Sequence, residues 1–476
     1  MQLSKKQQQL PKTDMNNFTS VIAAVSTPPG KGGVAIIRVC GEGAIELASR
    51  IFTPIQKKSL SDIPERYQVY GTISLNGEQI DDGMATCFRS HRSYTGEETV
   101  EISCHGGVLV TSAVLEALLS VGARLADPGE FTRRAFVNGK LSLTEAEAIG
   151  NLLEAESREQ LKLLSSKSRE IFKSSVEEVR KTLTSTLSSI YARIDYPDED
   201  LGDFTNEETS DMLSRALAKI DALISTYRTG RSINEGVKTV ICGKPNAGKS
   251  SIYNILLGTD AAIVTDIEGT TRDVLRERIS LGRVLLSLAD TAGVREGELD
   301  DKIEMIGIER SYAEIDKAEL VLTVFDLSRP FDALDSALIQ RLEKTSSAKV
   351  AILNKNDLPV LFDKSKLSGF DAVIEMSTKD SSVAKEKISS TVNSLFTDER
   401  IVVGSDAIVS SARHNAALSL AREHVSGAIG AIACGLSQDM VSSDIERALA
   451  IIAELDGASV SDEVVADIFS KFCVGK

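Results

Sequence analysis

Long apolar runs are missing from this 476-residue chain: nowhere do about 18 consecutive apolar residues occur, which excludes a membrane-spanning helix. The first seventeen residues are polar, with Gln7-Gln8-Gln9 and no apolar stretch, so a signal peptide is excluded and a disordered tail is expected over 1–17. Paired cysteines are missing as well. Cys40, Cys87, Cys104, Cys242, Cys434 and Cys473 stand far apart with no C-x-x-C spacing, so neither a zinc site nor a disulfide framework is signalled, and a reducing cytoplasm is the expected location. There is no positive surplus. Lys and Arg number 54 against 69 Asp and Glu, a formal net charge of -15 with a pI near 5.0. That balance disfavours a protein that grips nucleic-acid backbone over its whole surface. An RNA partner would be held mainly by something else.

What is present is a globular composition, 42% hydrophobic and 26% charged, at a length that suggests about three units. From Phe18 to about Lys140, β-rich runs such as Val34-Ala35-Ile36-Ile37 and Thr99-Val100-Glu101-Ile102-Ser103 alternate with Gly and Pro. This predicts an α+β domain over 18–140, with one helix from about Leu109 to Val121. Then Phe172, Val176, Val179, Leu183, Leu187, Ile190 and Ile194 recur at spacings of three and four, the stripe of a long amphipathic helix that stops at Tyr196-Pro197. The acidic run Asp198-Glu199-Asp200 reads as a solvated loop. A further helix, from about Asn206 to Thr229, is expected to end at Gly230.

Strand-like Lys238-Thr239-Val240-Ile241 opens an α/β block that runs to about Phe396. Helical stripes resume at Ile408, Ala412, Ala416, Leu420 and Val425, then at Ile445, Leu449, Ile452 and Leu455. Apolar stripes before and after the block both need partners. The simplest packing is one α-helical bundle, formed by 141–235 and 399–476, into which an α/β P-loop (Ras-like) nucleotide domain at 236–398 is inserted.

Within that block Gly243-Lys244-Pro245-Asn246-Ala247-Gly248-Lys249-Ser250 matches G-x-x-x-x-G-K-[ST], after a strand and before the helical run from Ile252 to Leu257. Backbone N–H groups of Asn246, Ala247, Gly248 and the helix start, through Ser251, are expected to curl around a β-phosphate; Lys249 adds positive charge and Ser250 ligates Mg2+. Asp290-Thr291-Ala292-Gly293 follows the strand from Val284 to Ala289, where the carboxylate can reach Mg2+ and Gly293 N–H can sense a γ-phosphate. Thr271 of Thr270-Thr271, between the two motifs, is the candidate second hydroxyl in the Mg2+ shell. Asn354-Lys355-Asn356-Asp357 follows a strand and reads guanine, Asp357 accepting from N1–H and the exocyclic amine, which adenine does not offer there. Ser377-Thr378-Lys379 offers a backbone N–H towards guanine O6. Val294 stands where Ras-type enzymes carry a water-orienting glutamine, which leaves Glu296, Glu298 and Glu304 as candidate carboxylates.

Together with Thr27-Pro28-Pro29-Gly30, Pro128-Gly129-Glu130-Phe131-Thr132, the segment Thr265-Asp266-Ile267-Glu268-Gly269-Thr270-Thr271-Arg272-Asp273 and the terminal Cys473-Val474-Gly475-Lys476, the chain resembles the MnmE (TrmE) family of tRNA-modification GTPases from Phe18 to Lys476. The resemblance implies a homodimer working with the FAD- and NADH-dependent MnmG (GidA) to install an aminomethyl-type group on C5 of wobble uridine in certain tRNAs. It implies an N-terminal domain that dimerises and binds a tetrahydrofolate derivative, with Arg38, Glu101, Lys140 and Lys476 at the matching positions. Cations suit the folate's carboxylates and Glu101 suits hydrogen bonds from the pterin. It also implies a potassium ion in place of an arginine finger, ligated by Asn246 and by backbone near Thr265, Ile267 and Thr270, with Glu304 as the water-positioning carboxylate. Cys473 is tied by the same resemblance to the modification reaction. The competing expectation is an Era-type RNA or ribosome-assembly switch, which would need a basic RNA module and would show salt-sensitive RNA binding.

Overall fold

The computed structural model describes residues 20–55, 59–195, 205–258, 277–289, 314–455, 462–470 and 472–475. By its internal contacts the chain divides into two compact units, 1–150 with 453–476, and 151–452.

The first unit is built on a seven-stranded sheet of order β3-β4-β5-β6-β2-β1-β7. Its strands are β1 (Ile22–Val25), β2 (Gly32–Cys40), β3 (Phe52–Pro54), β4 (Gln68–Leu75), β5 (Glu78–Phe88), β6 (Thr99–Gly106) and β7 (Arg124–Leu125). Period-two alternation sends Ala35, Ile37, Val39, Val100 and Ile102 into one core with Val114, Ala117 and Leu118 of helix Val108–Ser120. The other face buries Ile22, Ala24 and Cys40 beneath Ala126 and Phe131 of the segment that ends in helix Glu130–Val137.

Helix Asp462–Ser470 belongs to this unit: Val465 and Phe469, with Phe472, cluster on Leu143 and Ala146. The sequence predicts one bundle from 141–235 and 399–476. By contacts 453–476 groups with 1–150, and the aromatic pair Phe469 and Phe472 packs on Leu143 and Ala146, which lie at the start of the first of those two stretches.

In the second unit a six-stranded sheet runs β13-β12-β11-β8-β10-β9. Here β8 is Val237–Gly243, β9 Glu277–Leu281, β10 Val284–Leu288, β11 Leu320–Asp326, β12 Ala348–Asn354 and β13 Ala372–Glu375. Every pairing is parallel except β9 with β10. All seven residues of β11 are buried, as a central parallel strand covered on both faces requires. Helices Lys249–Leu257 and Ser381–Phe396 pack on one side through Ile252, Leu256, Ala384, Ile388 and Val392.

The bundle consists of Ser166–Asp195, Asn206–Ser225 and Ala412–Ala433, the last lying along the second. Thr205 and Glu208 form a capping box that starts the second helix. Two details differ from the sequence reading. Gly230 does not end a helix but sits inside Tyr227–Asn234, where a Cβ would lie 2.2 Å from the Val409 carbonyl oxygen; it serves close approach of two backbones. In Ala412–Ala433 the buried stripe is His414, Leu418, Ala421 and Val425, whereas Ala412, Ala416 and Leu420 face outward. Alanines fit either face, and the stacking of His414 on Phe172 at 5.2 Å sets the rotation.

Candidate functional site

The glycine-rich loop connects the buried strand β8 to helix Lys249–Leu257, so the helix's free N–H groups border the loop. Its curvature needs unusual backbone: Asn246 has φ 61 and Gly248 φ 108. A Cβ on Gly248 would strike Asn354 Nδ2 at 2.1 Å. Lys249 Nζ donates to the Lys244 carbonyl at 2.9 Å. Ser250 and Ser251 lie exposed in the first turn, and Ala247 is buried.

The Asn354-Lys355-Asn356-Asp357 turn stands at the C-terminal end of β12, beside the loop. Asn354, 1% exposed, donates from Nδ2 to Ala247 O at 2.9 Å; its Oδ1 accepts from Lys355 N at 2.8 Å and Thr378 N at 3.1 Å. Lys355 Nζ donates to Asn246 O at 2.9 Å and to Asp326 Oδ2 at 2.5 Å. One asparagine and one lysine therefore fasten the glycine-rich loop to the Asn354-Lys355-Asn356-Asp357 turn. Burial would raise the Asp326 carboxyl, but Lys355 and Ser328 outweigh it and keep it below the usual range. Asp357 accepts from Lys379 Nζ at 2.6 Å and Ser377 Oγ at 2.7 Å, which bring its pKa down to about 2. It is ionised at neutral pH and is an acceptor only. Asp326 escaped the sequence reading, although an acid at the C-terminal edge of a parallel strand is where such a site gathers its groups.

The residues Thr265, Asp266, Ile267, Glu268, Gly269, Thr270, Thr271, Asp290, Thr291, Ala292, Gly293, Glu304 and Lys476 lie outside the described residues.

In the first unit Arg38 and Glu101 are in-register partners on β2 and β6, and both Arg38 Nε and a terminal nitrogen donate to Glu101 Oε1, at 3.0 and 2.8 Å. The guanidinium lies over the rings of Tyr94 (5.9 Å) and Phe131 (5.5 Å). Tyr94 in turn shares a 3.1 Å hydrogen bond with Thr132. Lys140 Nζ donates to His91 O at 3.3 Å, and its Cγ borders the Gly96 position, so the 91–96 loop joins Lys140 to Arg38. The C-terminal segment arrives at the same edge: Gly129 N donates to Cys473 O at 3.4 Å and Ser26 Oγ to Gly475 O at 3.0 Å. Ser26 lies two residues along from Ala24, which pairs with Arg38. Cys473 is exposed.

Beneath this edge Arg134 is fully buried, donating to Glu97 at 2.8 Å, to Glu130 at 2.9 Å and to Ser20 O at 3.0 Å. Glu130 also takes Arg124 at 2.6 Å and Asp127 N at 2.9 Å. In the segment Pro128-Gly129-Glu130-Phe131-Thr132 the glutamate is thus a structural anchor, and Phe131 and Thr132 reach the Arg38 neighbourhood. Tyr94 carried no signal in the sequence, since nothing at its spacing connects it to Arg38.

A glycine-rich loop between strand and helix, tied to an Asn-Lys-x-Asp turn on a parallel sheet, defines a P-loop GTPase. The profile described as GTP-binding protein TrmE N-terminus matches residues 21–140, and that described as MnmE helical domain matches residues 143–473. The tRNA modification GTPase MnmE of Thermotoga petrophila is 38% identical over 462 residues, 96% of this chain and 99% of that protein. Its counterpart in Levilactobacillus brevis is 37% identical over 96% of this chain and 98% of that protein. The chain belongs to the MnmE (TrmE) family of tRNA modification GTPases. A solved structure of Era with MgGDPNP and 16S ribosomal RNA nucleotides is similar at a TM-score of 0.26 and 20% identity over 40% of this chain and 66% of that chain, a likeness too distant to bear on function. Among the described residues no helix is long and apolar enough to cross a membrane.

Proposed function

We propose that this chain is the GTP-hydrolysing subunit of a cytoplasmic complex that adds a carboxymethylaminomethyl-type group to C5 of wobble uridine in certain tRNAs, together with an FAD-dependent MnmG partner. The observation that carries this reading over a simple binding switch is the meeting of the Cys473-Val474-Gly475 segment with the strand edge beside Arg38 and Glu101. A binding switch has no need of a thiol-bearing segment seated beside a second polar site.

Lys249 and Ser250 serve the phosphates and Mg2+, with Thr271 completing the metal's hydroxyl pair. Asp290, Thr291, Ala292 and Gly293 form the γ-phosphate sensor, Asp357 reads guanine, and Glu304 positions water. The Asn246 amide makes no side-chain hydrogen bond to any described residue and is exposed, which suits a potassium ligand alongside Thr265, Ile267 and Thr270. Arg38, Glu101, Lys140 and Lys476 would hold a tetrahydrofolate derivative, whose polar edge and carboxylates match one carboxylate and three cations. The folate, when bound, supplies the one-carbon unit. Two such chains pair through their first units.

Steady-state GTP hydrolysis in potassium against sodium buffer, with Asn246→Ala alongside, tests the cation step; equal slow rates in both buffers would remove it. Nucleoside mass spectrometry of tRNA from cells carrying only Cys473→Ser tests the modification role. Unchanged wobble-uridine modification there would return the reading to a GTPase switch.

A further inference from the structure

Lys244 counts in the glycine-rich pattern only as a variable position, yet its ammonium is committed. It donates to Asp332 Oδ2 at 2.8 Å and to Asp335 Oδ2 at 2.7 Å. These two carboxylates are the capping box of helix Ala333–Leu342: Asp332 accepts from Leu334 N at 2.9 Å and Asp335 N at 3.2 Å, while Asp335 accepts from Asp332 N at 3.1 Å. Side-chain exposure is 16% for Lys244 and 2% for Asp335, so the pair is largely removed from solvent. A lysine serving as a direct phosphate ligand would keep its ammonium available; this one is occupied by two acids. Burial works against its charge, but the hydrogen bonds to Asp332 and Asp335 outweigh that and hold its pKa above the ordinary value.

By its main chain the same residue accepts from Lys249 Nζ. The far end of the loop is already fastened at Asn246 O and Ala247 O by Lys355 and Asn354. A curved loop with φ above zero at Gly243, Asn246 and Gly248 needs restraint at both ends to keep its amides aimed inward. Among the described residues the Lys244 side chain supplies that restraint at the leading end.

We propose that Lys244 is a positioning residue for nucleotide binding, its ion pair with the capping carboxylates Asp332 and Asp335 fixing the leading end of the phosphate loop. The proposal rests on the reading of residues 243–250 as that loop. Both GDP and GTP present the β-phosphate that the loop cradles, so loss of the clamp weakens them equally. Turnover at saturation is little altered, because the clamp touches no reacting atom. Preference for guanine is unchanged, because Asp357 and its partners are untouched.

The test uses the full chain with fluorescent GDP and GTP analogues, steady-state hydrolysis, and Lys244→Met, Lys244→Arg, Asp335→Asn and Lys249→Ala. Lys244→Met is expected to weaken both nucleotides about tenfold, mid-range for coupling between contacting groups, and to raise KM equally with kcat within about twofold. Lys244→Arg restores affinity, and Lys244→Met combined with Asp335→Asn is no weaker than Lys244→Met alone. If Lys244→Met binds GDP within about twofold of the unaltered chain while Lys249→Ala loses binding, the loop reading stands and the positioning role is overturned. If Lys249→Ala also binds normally, the loop reading itself fails. A joint fall of affinity, kcat and thermal midpoint in Lys244→Met that Lys244→Arg does not relieve would mark the pair as scaffold and overturn the proposal.

Discussion

Around the nucleotide loop side chains reach for main-chain carbonyls: Lys249 to Lys244, Lys355 to Asn246, Asn354 to Ala247. Around Arg38 side chains meet side chains, with Glu101 across the sheet and two aromatic rings against the guanidinium. The first arrangement spends few residue identities and much backbone geometry, so it is written as contiguous motifs. The second is assembled from residues 38, 94, 101, 131 and 140 and the segment near 475, each on a different element. It owes its order to the buried charges beneath it. The first is therefore readable from contiguous residues, although Asn354, Lys355, Asp332 and Asp335 reach it from other elements, and the second is readable only in three dimensions.

The sharpest way to break this contrast is to attack the buried charges. Arg134→Met removes the buried cation shared by Glu130 and Glu97; Glu130 keeps Arg124 and Glu97 is partly exposed, so the loss is expected at the low end for a broken buried pair, about 3 kcal/mol. The thermal midpoint should fall while affinity of the still-folded chain for GDP stays unchanged; a matching loss of GDP affinity would erase the distinction between the two sites. Comparable in size, Asn354→Ala removes three hydrogen bonds at once and should cost about 3 kcal/mol of nucleotide binding, roughly a hundredfold. Calorimetric titration with GDP checks this, and a loss under about threefold would show that the loop holds itself. Gly230→Ala, whose Cβ meets Val409 O, should destabilise the second unit by about 1–3 kcal/mol in urea unfolding with no change in nucleotide affinity.

The smallest effect is alkaline. Burial pushes the thiols of Cys40, Cys87 and Cys104 in the first unit, and Cys242 in the second, up to about 11. A raised folded pKa means that the contribution is complete below the ordinary thiol value near 9 and is lost as pH rises through about 11. With three such thiols against one, the first unit should lose protection from hydrogen exchange before the second between pH 9 and 11. The reverse order would show that the thiols do not govern it.

Much of the second unit was legible from its residues, because strand, loop and helix each announce themselves by period and by glycine. Strand β8, the loop and helix Lys249–Leu257 follow that pattern directly. Asp326 and Lys244 were not legible, since their partners come from other strands and helices and leave no spacing to read. The rotation of Ala412–Ala433 was misread because alanine on either face satisfies the same period, and a buried histidine rather than an aliphatic residue chose the face. For Asp462–Ser470 an apolar stripe states that a partner exists, not which one; the structure names Leu143 and Ala146, from the stretch 141–235.

The hydrogen bond from Ser26 to Gly475 joins residues 449 apart in the chain. During synthesis the strands of the first unit leave the ribosome before residues 151–452 of the second, while the helix that covers Leu143 and Ala146 is made only after them. At roughly 5–20 residues per second the interval is on the order of tens of seconds. The first unit must wait through that interval with an apolar surface uncovered, and the second unit has time to fold in full before the first is closed.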